Sequence, residues 1–163
     1  MACFLSSIVF VVINDNKNIQ KGLSCGYISA SCSSRFFSQV SQNNERWLDQ
    51  DIFDCAYPDV TFMNQVLDIT GNTAVQLTAE QIMRLVCFLT NDKDLNWLFM
   101  VDINLFIKMA KNDFKNLLLP TLNGKRWAVF CVNDAEISEN ERMQLMHSNE
   151  FRGTHWFTVA LWM

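Results

Sequence analysis

The chain has 163 residues, 50% hydrophobic, 18% charged and 12% aromatic, a balance that supports one packed core and excludes general disorder. A formal net charge of −4, from 13 Lys and Arg against 17 Asp and Glu, excludes the basic face of a nucleic-acid binder. Six cysteines with no Cys-x-x-Cys pair, and two isolated histidines, cannot assemble a zinc site; no metal and no cofactor is expected, and the thiols read as reduced in a cytoplasmic compartment.

The first apolar run, residues 2–13, is too short for a membrane-spanning helix, which needs roughly 20 residues. No Lys or Arg precedes Lys17, so the basic start of a secretion signal is also missing, and no membrane partner is expected. The β-branched stretch 8–13 reads as a buried strand. Residues 14–44 are polar and rich in Ser and Asn, and read as an irregular arm. That divides the chain into an N-terminal strand and arm, 1–44, and a domain, 45–163.

Within the domain, apolar Trp47, Leu48, Ile52, Phe53 and Ala56 recur at helical spacing over residues 46–57, and Pro58 stops the run. Residues 61–69 fit a strand or a helix, and Gly71 with Asn72 supplies a turn. Residues 78–89 form the strongest helix: Thr78 with Gln81 makes a capping box, and Ile82, Leu85, Val86 and Leu89 share one face. Residues 95–100 and 103–109 are buried pieces that periodicity does not separate into helix or strand. Residues 116–121, 127–132 and 156–162 are short β-rich runs, with Asn123-Gly124 as a hairpin turn between the first two. Residues 133–152 are polar, with one helical turn at 139–146. The fold class is α+β, helices followed by a small mixed sheet.

His155 and Trp156 open the last apolar strand, where an indole can hold an imidazole as base for a nearby nucleophile. Three stretches in order, WLDQDIFDCAY (47–57), LLLPTLNGKRW (117–127) and GTHWFTVALW (153–162), resemble the front part of Ulp-like cysteine proteases of the CE clan. That clan includes proteases that deconjugate SUMO and ubiquitin-like modifiers, bacterial effector deubiquitinases and YopJ-like acetyltransferases. The resemblance implies a papain-like half-domain and a thiol protease (a hydrolase) cleaving isopeptide bonds, with ubiquitin or a ubiquitin-like protein as partner. It places the domain in the cytoplasm, or in a host cytosol for a secreted effector. By the same resemblance His155 is the catalytic base, Trp156 its shielding neighbour, and Trp47 and Trp156 the substrate-binding residues. The clan's order is His, acid, then Cys, so the resemblance implies a chain truncated before its acid and nucleophile. In a second register Arg126 falls where the histidine belongs, and Gln50 stands where the eukaryotic motif carries an acid that contacts the modifier.

Other readings use the same residues. A Cys-before-His order, as in papain-like or OTU-like enzymes, pairs Cys55 with His155, although Asp54 and the late helical position oppose a Cys55 thiolate. Asp49, Asp51 and Asp54 read as the solvated face of their helix, and His147 as a surface residue. A different class is a non-catalytic interaction module, with aromatic surface near Trp127 and Trp162 and a sheet edge open to a homo-oligomer.

Overall fold

The computed structural model describes residues 10–14, 23–43, 58–135, 140 and 155–163. In chain order these form β1 (Phe10–Asn14), α1 (Cys25–Asn43), α2 (Val60–Val66), α3 (Ala79–Thr90), β2 (Leu98–Asp102), α4 (Ile103–Lys111), α5 (Phe114–Leu118), a 3-10 turn (Leu119–Thr121), β3 (Trp127–Asn133) and β4 (Trp156–Trp162). The architecture is α+β. The four strands are ordered β1-β4-β3-β2, with β4 antiparallel to both neighbours and β2 parallel to β3.

Helix α1 lies between the sheet and α3, so residues Ser24 to Ala30 are all buried. Burial on two sides requires small side chains, and the helix supplies Gly26, Ser29, Ala30, Ser33 and Ser34. A Cβ placed on Gly26 would stand 3.0 Å from the Leu77 Cβ, which shows how closely the chains approach. The Ser34 hydroxyl donates to the Ala30 carbonyl at 2.8 Å, the usual way a helical serine satisfies itself against its own turn. The segment that reads as an irregular polar arm is therefore the longest helix described, and it belongs to the same core as the sheet. Ser29 and Ser33 are fully buried contact residues rather than solvent-facing ones.

The other elements follow from local signals. The Thr78 hydroxyl accepts from the Gln81 N–H at 3.3 Å and the Gln81 side chain accepts from the Thr78 N–H at 2.9 Å, so the expected capping box is complete. Ile82, Leu85 and Val86 are buried as expected, whereas Leu89 is 39% exposed. Within 61–69 the helix reading holds as far as Val66, because Asp59 caps α2, accepting from the Phe62 N–H at 3.0 Å. The Asp102 side chain ends β2 and starts α4 by accepting from the Leu105 N–H at 2.9 Å.

The expected strand at 116–121 is instead α5 and the 3-10 turn. Asp113 caps it, accepting from the Lys115 N–H at 3.1 Å, and three leucines favour helix over sheet. Pro120 sits in the first turn of the 3-10 segment, where its missing N–H costs nothing. Asn123 (φ 52°) and Gly124 (φ 87°) do form a turn, but it joins the 3-10 segment to β3 and closes no hairpin. The helix predicted at 46–57 and the turn predicted at 139–146 lie outside the described residues, apart from Asn140.

Two aromatic clusters fill the sheet's faces. On the α1 face, Phe36 meets Trp127 at 5.6 Å and Trp97 meets Trp127 at 5.5 Å between ring centroids. On the other, Phe130 meets Phe99 at 5.1 Å, Phe106 at 5.3 Å and Phe114 at 5.3 Å. Phe130 is fully buried, so Phe130→Ala is expected to lower stability by about 3–5 kcal/mol through the cavity it leaves. Thr78→Ala removes one cap and is expected to cost about 1 kcal/mol. Urea unfolding checks both; equal losses would contradict this division between core and cap.

Candidate functional site

Helix α1 runs antiparallel to β3. The Ser33 hydroxyl and the Cys131 thiol share a hydrogen bond of 3.3 Å, and Phe36, one turn further on, meets Trp127 at the other end of the strand. The first turn of α1 therefore falls where β3 ends and β4 begins. Asn133 pairs with Trp156 in the ladder, and the Asp134 N–H donates to the His155 carbonyl at 3.0 Å. In that antiparallel pattern the Trp156 N–H points away from β3. It counts among the backbone N–H groups that pull the Cys25 thiol pKa down, while the Trp156 side chain itself points to the α1 face.

Cys25 is the first residue of α1, whose first helical bond runs from the Ile28 N–H to the Ser24 carbonyl at 3.0 Å. Burial pushes the Cys25 thiol up from its ordinary range. The backbone N–H groups of Trp156, Gly26 and Cys25 itself pull it down, and the Asp134 carboxylate pushes it up again; the net shift is upward. With 2% of its surface exposed and the net shift upward, Cys25 rests as a thiol.

His155 is half-buried at the start of β4 and its ring stacks on Phe157 at 6.5 Å, with 23° between planes. Its N–H donates to Asp134 Oδ1 at 3.1 Å, so two backbone-anchored bonds tie His155 to Asp134. The ends of α1, β3 and β4 thus bring Cys25, Asp134 and His155 to one end of the sheet, with the His155 ring turned, beside Phe157, to the face opposite α1. Behind them the interface stays polar: Ser29 Oγ and Asn133 Nδ2 are buried without a hydrogen-bond partner. The Thr158 hydroxyl lies beside the Cys131 thiol without the geometry of a full hydrogen bond.

Other expected residues fall elsewhere. Trp156 is 1% exposed and its indole N–H donates to the Leu77 carbonyl at 3.1 Å; it is a packing residue, which corrects the expectation that it binds substrate. Arg126 Nε donates to the Met163 carbonyl at 3.0 Å and occupies no base position. Trp47, Gln50, Asp49, Asp51, Asp54, Cys55 and His147 lie outside the described residues. Among the described residues no group of three His, Cys, Asp or Glu side chains is placed to hold a metal ion. A cleft of about 380 Å³ between α1, α2 and α3, lined by Ser31, Ser34, Arg35, Asp59 and Phe62 among others, opens on the side of α1 away from the sheet and has no cysteine or histidine in its lining.

Cys25 is the residue that sequence reasoning missed. A signal was present: Ser24, a good helix opener, directly precedes it, and Tyr27, Ile28, Cys32, Phe36 and Val40 then recur at helical spacing. Comparison with protein-family models, with curated proteins and with solved structures finds no match to this chain.

Cys131 marks the inert extreme. It is fully buried and its thiol is pushed up to about 12 by loss of solvation, with Ser33 and Thr158 opposing the shift. The folded state therefore holds this proton more tightly than the unfolded chain, and stability falls as pH rises from about 9 towards 12. Cys131→Ser keeps a partner for Ser33 and removes the titration. Denaturant unfolding at stepped alkaline pH should show a steeper loss for wild type than for this variant; parallel losses would contradict the assignment.

Proposed function

We propose that the chain is a cysteine-dependent hydrolase in which Cys25 is the nucleophile, His155 the base and Asp134 the group that orients His155. The observation that carries this reading is that α1 opens at Cys25 at the end of the sheet where β3 stops and β4 starts, the end that also holds Asp134 and His155. In the reaction the His155 ring turns from the Phe157 face to reach the thiol. In the proposed step the imidazole takes the thiol proton while Sγ attacks a carbonyl carbon. Backbone N–H groups at the α1 N-terminus stabilise the oxyanion, and the helix dipole favours the same charge. The imidazolium then protonates the departing amine, and water releases the thioester.

Ubiquitin or a ubiquitin-like protein is the proposed partner, and an isopeptide bond the proposed target; the resemblance of the stretch containing His155 to Ulp-like proteases supports both. The nucleophile precedes the base, which is the papain-like and OTU-like order and the reverse of that in the CE clan. On this reading the nucleophile lies within the chain, and α1 against the sheet is its papain-like core. The free thiols Cys25, Cys32, Cys87 and Cys131 suit a reducing cytoplasm. Among the described residues no helix is long and apolar enough to cross a membrane.

One observation favours the interaction-module reading: Cys25 is buried and its thiol is pushed up, so the resting site does not present a thiolate. Labelling with ubiquitin and SUMO probes bearing a C-terminal electrophile, read by intact mass and peptide mapping, separates the two. The hydrolase reading expects an adduct on Cys25 that Cys25→Ala abolishes and His155→Ala slows by roughly 10²–10⁴-fold. A folded protein that forms no adduct is a binding module. An adduct on another cysteine would overturn the assignment of Cys25.

A further inference from the structure

We propose that one water molecule is built into the α1–sheet interface, held by Ser29 Oγ, Asn133 Nδ2 and Thr158 Oγ1, so that it ties α1 to both β3 and β4 whether or not Cys25 is a nucleophile. All three residues are fully buried, and each of these atoms lacks a hydrogen-bond partner within the chain. One orphaned buried polar atom costs on the order of 1–3 kcal/mol, and three on the same face of one interface point to a partner they share.

Strand register brings two of them together. Cys131 pairs with Thr158, and Asn133 with Trp156. The Asp134 N–H bonds the His155 carbonyl, so both pairs are of the type without ladder bonds between them, in which side chains stand closest. Alternate residues share a face, so Asn133 lies with Cys131, and Thr158 with Trp156, on the α1 side. Asn133 and Thr158 are therefore diagonal neighbours about 7 Å apart at Cβ, a span that one bridging molecule closes.

Helix α1 crosses the same two pairs. The Trp156 N–H acts on the Cys25 thiol, while the Ser33 hydroxyl shares a bond of 3.3 Å with the Cys131 thiol, beside Thr158. Ser29 is one turn from Cys25 and one turn from Ser33 on the same helix face, so it comes down between the pairs. Ser34 satisfies itself on the Ala30 carbonyl, whereas Ser29 makes no such bond to its own turn, and its hydroxyl is left for the sheet.

The donor set selects the ligand. Asn133 Oδ1 accepts from the Ala135 N–H at 3.0 Å, which leaves Nδ2, a donor only, as the open end of the amide. A donor repels a metal ion, and three neutral groups offer no countercharge to a buried anion. Water accepts from Asn133 and from one hydroxyl and donates to the other, the three bonds usual for a buried water.

The test compares the full chain with Ser29→Ala/Thr158→Val by oxygen-17 relaxation dispersion, which counts waters held for longer than bulk exchange allows. Valine keeps the shape of threonine and alanine favours the helix, and only Asn133 then remains to hold the water, which needs at least two partners. Wild type is expected to show one more long-lived water than the variant; equal counts would overturn the proposal. Urea unfolding supplies a sign that does not depend on the count. Deleting a truly orphaned hydroxyl relieves its desolvation and raises the midpoint, whereas deleting a ligand of a shared water lowers it. Thr158→Val is expected to lower the midpoint, and where the double variant does not fold this substitution decides alone. A midpoint at or above that of wild type would overturn the water.

Discussion

Everything at the candidate site depends on α1 being buried on two sides. A helix that faces solvent on one side can shift by a fraction of an ångström at little cost, because long side chains there re-pack freely. A helix held between a sheet and a second helix, with Gly26, Ser29 and Ser33 at its contacts, has no such slack. Its first residue is therefore placed as accurately as any core side chain. The antiparallel course of α1 along β3 then decides which strand ends that residue meets.

The α1–sheet interface changes character along its length. At the Trp127 end it is aromatic, with Phe36, Phe37, Trp97 and Trp127 in mutual contact. At the Cys25 end it carries Ser29, Asn133 and Thr158, all fully buried and each with a polar atom that lacks a hydrogen-bond partner within the chain. A buried polar group without a partner costs on the order of 1–3 kcal/mol, so a sequence under selection for stability alone would place apolar residues there. The aromatic end offsets that cost. Cost concentrated at one end of an otherwise well-packed interface is the pattern expected where structure serves chemistry as well as stability.

What could be read in the sequence divides along the same line. The capping box at Thr78, the strands β3 and β4 and the turn at Asn123-Gly124 were legible because each is signalled by neighbouring residues. His155 at the head of β4 was legible for the same reason. Helix α1 was not: serine-rich segments that pack between two layers and serine-rich loops have the same composition, and only the layers tell them apart. Missing α1 meant missing Cys25, whose argument depends on being first in a helix. The leucine run before Pro120 failed for a different reason. Apolar character alone does not separate a short strand from a short helix, and the decisive cap, Asp113, adopts a left-handed φ of 68° that no pattern of hydrophobicity reveals.

Sheet order explains why the two ends of the chain meet. β4 lies between β1 and β3, so the strand that begins with His155 runs beside the strand that precedes α1. At its end β1 is level with the start of β4, because Asn14 pairs with Thr158. β3 claims the ladder bonds on one side of the β4 start, which leaves the Trp156 N–H directed to the other side. Cys25 and His155 thus come to the same end of the sheet through strand order and helix direction, with no need for the two residues to be close in sequence.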